Sequence, residues 1–449
     1  AGSIANAKLA NSSVTINGTS ISLGASGSIP AVSWQSVVVS DGSTVTTMVA
    51  GRGYFIDNTS AAGLVKLPAS ASAGDTIAIK DYAGNFGTNK LTIQRNSHKI
   101  QGNANNSEIK TNRASVTLVY VDATKGWLYA NESNVADLQL ELYVAATGGT
   151  VTTSGNFKIH SFTGDGCFVV SCAGNPVGNN KVDYMVVAGG GAGGTIGGGG
   201  AGGYRESYTP AVSGPYTASP LKAACGALTV TATTFPVTVG AGGTATAGSF
   251  GNPGSNSVFS TITSAGGGGG PQGPYDTGRN GVAGGSGGGG HGTCAGAGCG
   301  AAGNTPPVSP PQGNNGGTAA SGSSASAGGG GAAAAGGGVS GCGDATQGAG
   351  GIGSFISTCF STPGKGTPGP VSGTRYFAGG GGGGGNPGGP TFTTTGGAGG
   401  GGAGAASGSP GASGNNGTAN TGGGGSGGGN DVGGGDGGKG IVIIRYKFQ

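Results

Sequence analysis

Short runs in which apolar and polar residues alternate fill the first third of the chain. Between about residues 37 and 133 they recur as VVVS, TVTTMVA, GYFID, GLVKLP, DTIAIKDY, KLTIQRN, SVTLVYVD and GWLYA. Alternation with a period of two indicates half-buried strands, and no segment keeps a helical period. Turn-forming pairs such as Asp41-Gly42 and Ala73-Gly74 separate these runs. We therefore predict a β-sandwich-like module at 37–133, long enough to bury a core of its own.

A smaller β pattern precedes this module at residues 1–36. Val14 and Ile16 alternate with polar residues, Asn17-Gly18 follows, and the alternation resumes at Ile21. An Asn-Gly pair between alternating runs is a strong hairpin signal. The segment is too short to bury a core alone, so we predict a β repeat, stalk or attachment segment that pairs with other sequence.

The third region, residues 134–449, is a glycine-rich domain bracketed by strands. Strand-like sequence runs from about 138 to 188 and again from 441 to 448, and residues 189–440 between them form a glycine field. We predict that VDYMVVA, before the field, and IVIIRYK, after it, pair or lie adjacent in one sheet. Such pairing would tie the two ends of the field together.

Glycine accounts for 112 of the 449 residues, more than three times its average usage. One alternative is a flexible coil, because glycine loses the most entropy on ordering. The other is a lattice of packed polyglycine II helices, in which neighbouring helices exchange all backbone hydrogen bonds. We predict the lattice, and hence an all-β protein with little or no α-helix.

Charge and cysteine content exclude several classes of function. Only 8% of residues are charged and the net charge is +4, without a Lys/Arg cluster, so we expect no nucleic-acid binding. No apolar run is long enough for a transmembrane helix, and the first ten residues lack the pattern of a signal peptide. The seven cysteines are odd in number and irregularly spaced, which favours isolated thiols over a disulfide framework.

Three short matches to enzyme or metal motifs carry little weight. The segment 189–194 fits a dinucleotide fingerprint, but the glycines that follow cannot form the required helix. In the segment 433–440 a glycine stands where a phosphate-binding loop needs Ser or Thr. His291, Cys294 and Cys299 fit no zinc spacing. We therefore predict no enzyme, no cofactor and no metal.

Clusters of other residues interrupt the glycine runs and hold the side chains available for recognition. Exposed Tyr, Phe and Arg are the residue types that anchor binding surfaces, whereas buried aromatic residues would supply a core that glycine cannot. For each candidate residue, binding at the surface and packing in a core therefore remain two alternatives. The candidate receptor-binding residues are Tyr204, Arg205, Tyr208, Tyr216, Tyr275, Arg279, Phe355, Phe360, Arg375, Tyr376 and Phe377.

Three segments resemble parts of known phage proteins. ANAKLANSSVTINGTSISLG resembles a unit of tailed-phage structural proteins, including those of cyanophages, and SAGDTIAIKDYAGNFGTNKLTIQRN resembles a β module of the same fibre-type proteins. VDYMVVAGGGAGG together with GIVIIRYK is similar to glycine-rich C-terminal domains of phage tail fibres and adhesins. The resemblance implies a virion protein, often a homotrimer, whose glycine-rich end recognises the host through variable distal loops.

The resulting hypothesis is a tail-fibre structural protein that binds a host polysaccharide or outer-membrane protein, contacts other virion proteins, and is located in the virion. It would be extracellular after release and would not enter a membrane. The alternative is a purely architectural role, as a head, neck or decoration protein or as a glycine-rich extracellular fibre. A surface depolymerase ranks third, because few carboxylates stand in the field: Glu206, Asp276, Asp344, Asp431 and Asp436.

Overall fold

The computed structural model divides the chain into two compact units, residues 1–142 and 143–449. The domain boundaries predicted from the sequence, at 36 and 133, divide the chain differently from these two units, and they stay a prediction. Among the described residues, no helix is long and apolar enough to cross a membrane. The structure describes residues 13–16, 19–23, 25, 32–131, 141–223, 226–272, 279–293, 296–321, 326–340, 348–360, 364–385, 394–405, 412–429 and 432–449.

The first unit consists of strands, and its first two form the predicted hairpin. These two are antiparallel, with Val14 opposite Ile21. The strands of this unit are β1 (Ser13–Ile16), β2 (Thr19–Ser22), β3 (Ser33–Trp34), β4 (Val38–Val39), β5 (Val45–Thr47), β6 (Arg52–Asp57), β7 (Gly63–Lys66), β8 (Thr76–Asp81), β9 (Leu91–Gln94), β10 (Ser107–Ile109), β11 (Ser115–Asp122) and β12 (Gly126–Tyr129).

From β3 to β9 the chain winds as a short parallel solenoid. It alternates between two sheets, so that β3 and β4, β6 and β8 stack in one while β5, β7 and β9 stack in the other. All of these pairs are parallel. The last three strands then pair antiparallel, β10 on β9 and β11 on both β8 and β12. Alternating apolar residues predict the two layers, but they carry no information on this connectivity.

One apolar core lies between the two sheets of the solenoid. Ile56 and Ile79 from one sheet and Val65 and Ile93 from the other are all essentially inaccessible. The alternation seen in the sequence therefore sorts each strand into a core face and an outer face.

A polar ladder crosses one corner of the solenoid. Asn58, fully buried, donates from Nδ2 to the Asn89 carbonyl oxygen at 2.8 Å and accepts from the Ser40 hydroxyl at 2.5 Å. The ladder thus joins one residue from each of three successive turns of the solenoid, Ser40, Asn58 and Asn89. The ladder satisfies backbone groups that the turn between the sheets would otherwise leave unpaired.

The second unit contains the remaining strands and, among the described residues, one short helix. The elements are β13 (Val144–Thr147), β14 (Thr150–Ser154), β15 (Phe157–Phe162), β16 (Gly166–Ala173), β17 (Lys181–Val187), β18 (Tyr204–Ser207), α1 (Pro210–Ser213), β19 (Lys222–Ala223), β20 (Leu228–Thr229), β21 (Thr234–Thr238), β22 (Ser257–Phe259), β23 (Ile262–Ser264), β24 (Ser354–Ser357), β25 (Thr374–Phe377) and β26 (Ile441–Lys447). The all-β fold class is confirmed.

The two strands that bracket the glycine field pair directly, as predicted. β26 lies between β15 and β17 in a seven-stranded sheet and is antiparallel to both, with Val187 opposite Ile441. Both faces of this sheet are covered. Val186 and Ile444 pack toward a five-stranded sheet of β13, β16, β21, β22 and β23, whereas Val187 and Ile443 pack against the glycine-rich side.

Backbone hydrogen bonds in the glycine field repeat every third residue. In the run 188–194, the N–H groups of 189 and 192 donate to 252–255, those of 190 and 193 to 435–438, and those of 191 and 194 to 197–200, all at 2.8 to 3.1 Å. Every third N–H group thus donates to the same neighbouring run. This is the period of a polyglycine II helix, so the predicted lattice is present in the described part of the field.

The runs are arranged concentrically around the central run, residues 197–203, which is wholly buried. It exchanges backbone hydrogen bonds with six neighbours, which we call the inner runs: 188–194, 265–271, 286–291, 326–332, 378–384 and 422–429. The inner runs are also buried. The outer runs surround them: 239–243, 251–255, 281–285, 298–303, 313–319, 334–339, 348–353, 394–398, 400–405, 412–418 and 432–440.

Glycine is required in the interior because the backbones approach each other too closely for a Cβ atom. A Cβ built at Gly199 or Gly200 would lie under 3.0 Å from carbonyl oxygens of an inner run. In the outer runs, other residues recur at every third position and are exposed, as in the pairs Ala241 and Thr244, Asn252 and Ser255, Asn315 and Thr318, and Ala349 and Ile352. Three residues per turn place each pair on the solvent side of its run.

Candidate functional site

A cluster of buried polar side chains lies where the seven-stranded sheet meets the glycine-rich side. We call it the junction cluster, and it comprises Asp183, Tyr204, Glu206, Ser213, Tyr216 and Arg445. Strand alternation puts it there, because Asp183 of β17 and Arg445 of β26 interrupt apolar runs and are cross-strand partners. Both lie on the face opposite the core shared with the five-stranded sheet.

Asp183 is fully buried and its carboxylate is saturated with donors. The Ser207 hydroxyl donates to Oδ1 at 2.7 Å, and the Thr209 amide and the Ser213 hydroxyl donate to Oδ2 at 2.8 and 2.6 Å. Burial raises the pKa of Asp183 above its usual range, while these three donors oppose that shift. Three donors to one carboxylate are the arrangement expected of an ionised group.

Arg445 supplies the positive charge of the cluster and is 4% exposed. Its Nε donates to the Ser213 carbonyl at 2.8 Å, Nη1 donates to the Cys359 carbonyl, and the guanidinium lies 4.5 Å from the Phe157 ring centroid. Burial lowers its pKa from the ordinary value. Ser213 links the two charges, because its hydroxyl binds Asp183 while its carbonyl accepts from Arg445.

Glu206 is the third ionisable group and is only 1% exposed. The Tyr204 hydroxyl donates to its Oε2 at 2.9 Å, and Oε1 has no hydrogen-bond partner within standard geometry. Burial raises the pKa of Glu206 to about 7, although Ser219 and Tyr204 favour the ionised form. Burial and the nearby Glu206 likewise raise the pKa of Tyr204 and Tyr216. The cluster therefore holds a buried acid and a buried base, Asp183 and Arg445, linked through Ser213, and a second carboxyl whose pKa burial raises to about 7.

The structure places most of the sequence-predicted binding residues near this junction. Tyr204, Phe360, Tyr376 and Phe377 are buried, so in this chain their side chains form core. The Tyr216 ring packs 5.3 Å from Phe360. For these buried aromatic residues the packing alternative describes what is seen, and receptor binding stays a prediction.

The remaining candidates are partly exposed and are not all in one place. Arg205, Tyr208 and Phe355 lie on the sheet side, as does Arg375, whose guanidinium donates to the carbonyls of Lys365 and Gly366 at 2.9 and 2.6 Å. Arg279 lies at the other end of the lattice, where its Nη1 donates to Thr293 Oγ1 at 3.1 Å. Tyr275 lies outside the described residues.

That other end of the lattice, which we call the remote end, collects the connections between runs. Runs that follow strands, such as 188–194 after β17 and 265–271 after β23, lead away from the sheet, and antiparallel runs lead back. The described residues that flank eight connections therefore lie at the remote end: 243–251, 271–272 with 279–281, 291–293 with 296–298, 319–321 with 326, 339–340 with 348, 384–385 with 394, 405 with 412, and 429 with 432.

The segments that match enzyme or metal motifs lie within the runs of the glycine lattice or beside them. The segment 189–194 is part of an inner run, and 433–440 is part of an outer run that continues into β26. His291 is 1% exposed and its Nδ1 lies 3.0 Å from Ser326 Oγ, while Cys294 is outside the described residues. Among the residues the structure describes, no group of three metal-ligating side chains comes together.

Sequence reasoning missed Asp183, Ser213 and Arg445. A signal was present, because each charged residue stands alone within an otherwise apolar strand, in VDYMVVA and IVIIRYK. Charged residues are almost never fully buried unless paired. A lone acid and a lone base at matching positions of two strands predicted to pair would therefore have indicated a buried polar cluster.

Fold and site together define a β-protein in which one sheet carries a concentric glycine lattice. The chain belongs to the glycine-rich domain family, since the model of that family, described as "Glycine-rich domain", matches residues 163–447, more than half of the chain. No curated protein matches the sequence.

Proposed function

We propose that this protein is a structural component of a phage tail fibre and binds the host surface through the remote end of its glycine lattice. The arrangement of the connections carries the proposal. The described ends of the runs that flank eight connections lie on the same side of the lattice, and they form a rigid base for recognition there. Variable loops on a rigid scaffold are a common arrangement for binding.

The resemblance of three segments to phage fibre proteins supplies the biological setting. In that setting the protein assembles as a homotrimer, contacts other fibre proteins through its N-terminal part and performs no catalysis. Several identical sites on one virion strengthen weak individual contacts through avidity. The low charge of the chain favours a neutral surface, such as a polysaccharide or an uncharged loop of an outer-membrane protein.

Binding of the full-length labelled protein to phage-sensitive cells, with and without their surface polysaccharide, tests the proposal. We expect saturable binding that competes with infection. Substituting Tyr275→Ala and Arg279→Ala together, in one remote connection, should weaken binding. The matched control is Val371→Ala, which removes an exposed side chain between β24 and β25 on the sheet side. Absence of binding by folded protein, or equal loss in the control, would instead support the purely architectural role.

A further inference from the structure

The segment between β18 and β19, residues 208–221, lies over the junction cluster, and we call it the strap. It contains α1, and it returns so that β19 runs parallel to β18. We propose that the strap is a proton-operated latch, seated while Glu206 carries a proton and released when that proton is lost. The latch would act at the base of the central run, because that run continues directly into β18.

The strap is held to the sheet by hydrogen bonds to Asp183 and Arg445. Its Thr209 amide and Ser213 hydroxyl bind Asp183, and its Ser213 carbonyl accepts from Arg445. The Tyr216 ring packs between Tyr208, at 4.5 Å, and Phe360. These contacts define the seated position.

Glu206 is a buried carboxyl whose hydrogen-bonding neighbours, Tyr204 and Ser219, are neutral. From the strap, Tyr216 and Ser219 face it; from β17, Asp183 adds a second negative charge. Among the described residues no Lys or Arg forms an ion pair with Glu206, in contrast to Glu108, which has two such partners. The adjacent cation, Lys222 of β19, has its Nζ 5.2 Å from the Tyr208 ring centroid.

A buried carboxylate without a counter-charge is strongly disfavoured. Ionised Glu206 must therefore either remain under the strap at high free energy or become hydrated. Ser219 and Tyr216 of the strap both interact with the Glu206 carboxyl, so we expect its hydration to displace this part of the strap. Asp183 differs from Glu206 because its carboxylate already accepts three hydrogen bonds.

The direction of the pH effect follows from the raised pKa. Burial raises the pKa of Glu206 from 4.5 to about 7, so the seated strap binds a proton that the released strap loses at lower pH. The latch is at full strength below pH 4.5 and weakens as pH rises toward 7, by up to about 300-fold. Between pH 6 and 8.5 the expected change in the opening equilibrium is about tenfold.

Hydrogen exchange of the full chain at pH 6 and 8.5, corrected for the intrinsic exchange rate, tests the latch. In the wild-type protein, peptides from 208–221 should lose about tenfold in protection at the higher pH. Peptides from the core of the first unit should not change between the two conditions. In Glu206→Gln, which keeps the shape and cannot ionise, the strap should be equally protected at both pH values.

The matched control is Glu141→Gln, which removes a partly exposed carboxylate paired with Lys110 and should retain the wild-type pH profile. Strap protection that is independent of pH in the wild-type protein would overturn the proposal, and this result needs no variant. The same pH-dependent loss in Glu206→Gln would also overturn it, because another group would then be responsible. If that variant does not fold, the midpoint of the wild-type profile decides, since a midpoint far from 7 contradicts the assignment to Glu206.

Discussion

Replacing Gly200 with alanine puts a methyl group at the centre of the lattice. Its Cβ would lie under 3.0 Å from the backbone carbonyl oxygens of Ser286 and Gly287, atoms that cannot rotate away. The Gly200 amide donates to the Gly268 carbonyl at 2.8 Å, and its carbonyl accepts from the Gly191 amide at 2.8 Å. Relieving the clash requires separating runs that these bonds hold together.

The expected decrease in the free energy of unfolding has two contributions. Overpacking a dense interior costs about 1–3 kcal/mol, and weakening two buried hydrogen bonds costs about 1 kcal/mol each. We expect Gly200→Ala to lower the free energy of unfolding by about 3–5 kcal/mol, which is about 10 °C in the melting temperature. The matched control is Gly433→Ala in an outer run, where the nearest atom to the new Cβ, the Ala247 nitrogen, is 3.2 Å away. This control should unfold within about 2 °C of the wild-type protein.

Scanning calorimetry measures the melting temperature of the second unit. Tryptophan fluorescence follows the unfolding of the first unit and serves as an internal reference. Trp34 and Trp127 are the only tryptophans, and both belong to the first unit, so their transition should not move in either variant. Equal melting temperatures for Gly200→Ala and Gly433→Ala would refute the reasoning, because the position of a run in the lattice would then not decide the cost of a side chain.

Further outcomes follow from other described contacts. Asn58→Ala should destabilise the first unit by about 2 kcal/mol, read from tryptophan fluorescence, because it leaves the Asn89 carbonyl and the Ser40 hydroxyl unpaired. Asp183→Asn should destabilise the second unit by about 2–3 kcal/mol in calorimetry, because the amide nitrogen cannot accept the hydrogen bonds that one carboxylate oxygen accepts, whereas Asp436→Asn at an exposed carboxylate should cost under about 1 kcal/mol. Host-cell binding should change less than about twofold between low and physiological salt, since few charges are available to be screened.

Sequence patterns predicted the strands and the lattice well, because both depend on local periodicity. The strand-like segments VDYMVVA and IVIIRYK located β17 and β26, and their places at the two ends of the glycine field predicted that they pair. The connectivity of β3 to β9 was not predictable in this way, since alternation gives the face of a residue but not the neighbouring strand. A usable signal for the outer runs was missed: side chains at every third position, as in Ala349 and Ile352, mark the solvent side of a three-residue helix.

The candidate site was predicted less well, for a physical reason. Tyr204 and Phe377 stand directly beside glycine runs in the sequence, and that position suggests an exposed loop. In the structure they are instead at the sheet-side ends of runs, where the lattice gives way to side-chain packing against the seven-stranded sheet. Glycine runs bury backbone but supply no side chains. The few aromatic residues next to them therefore pack in the core.

The adjacency of β17 and β26 has a consequence for how such proteins change over time. The glycine runs and the connections between them are, in effect, insertions into a framework of strands that are already paired. An extra outgoing and returning run at the periphery would lengthen the sequence without moving any strand or any run already in place, and deletion of such a pair would be equally local. The number and chemistry of the remote connections is thereby uncoupled from the foundation that carries them, so the tip can diversify in length and composition under selection while the base remains the same.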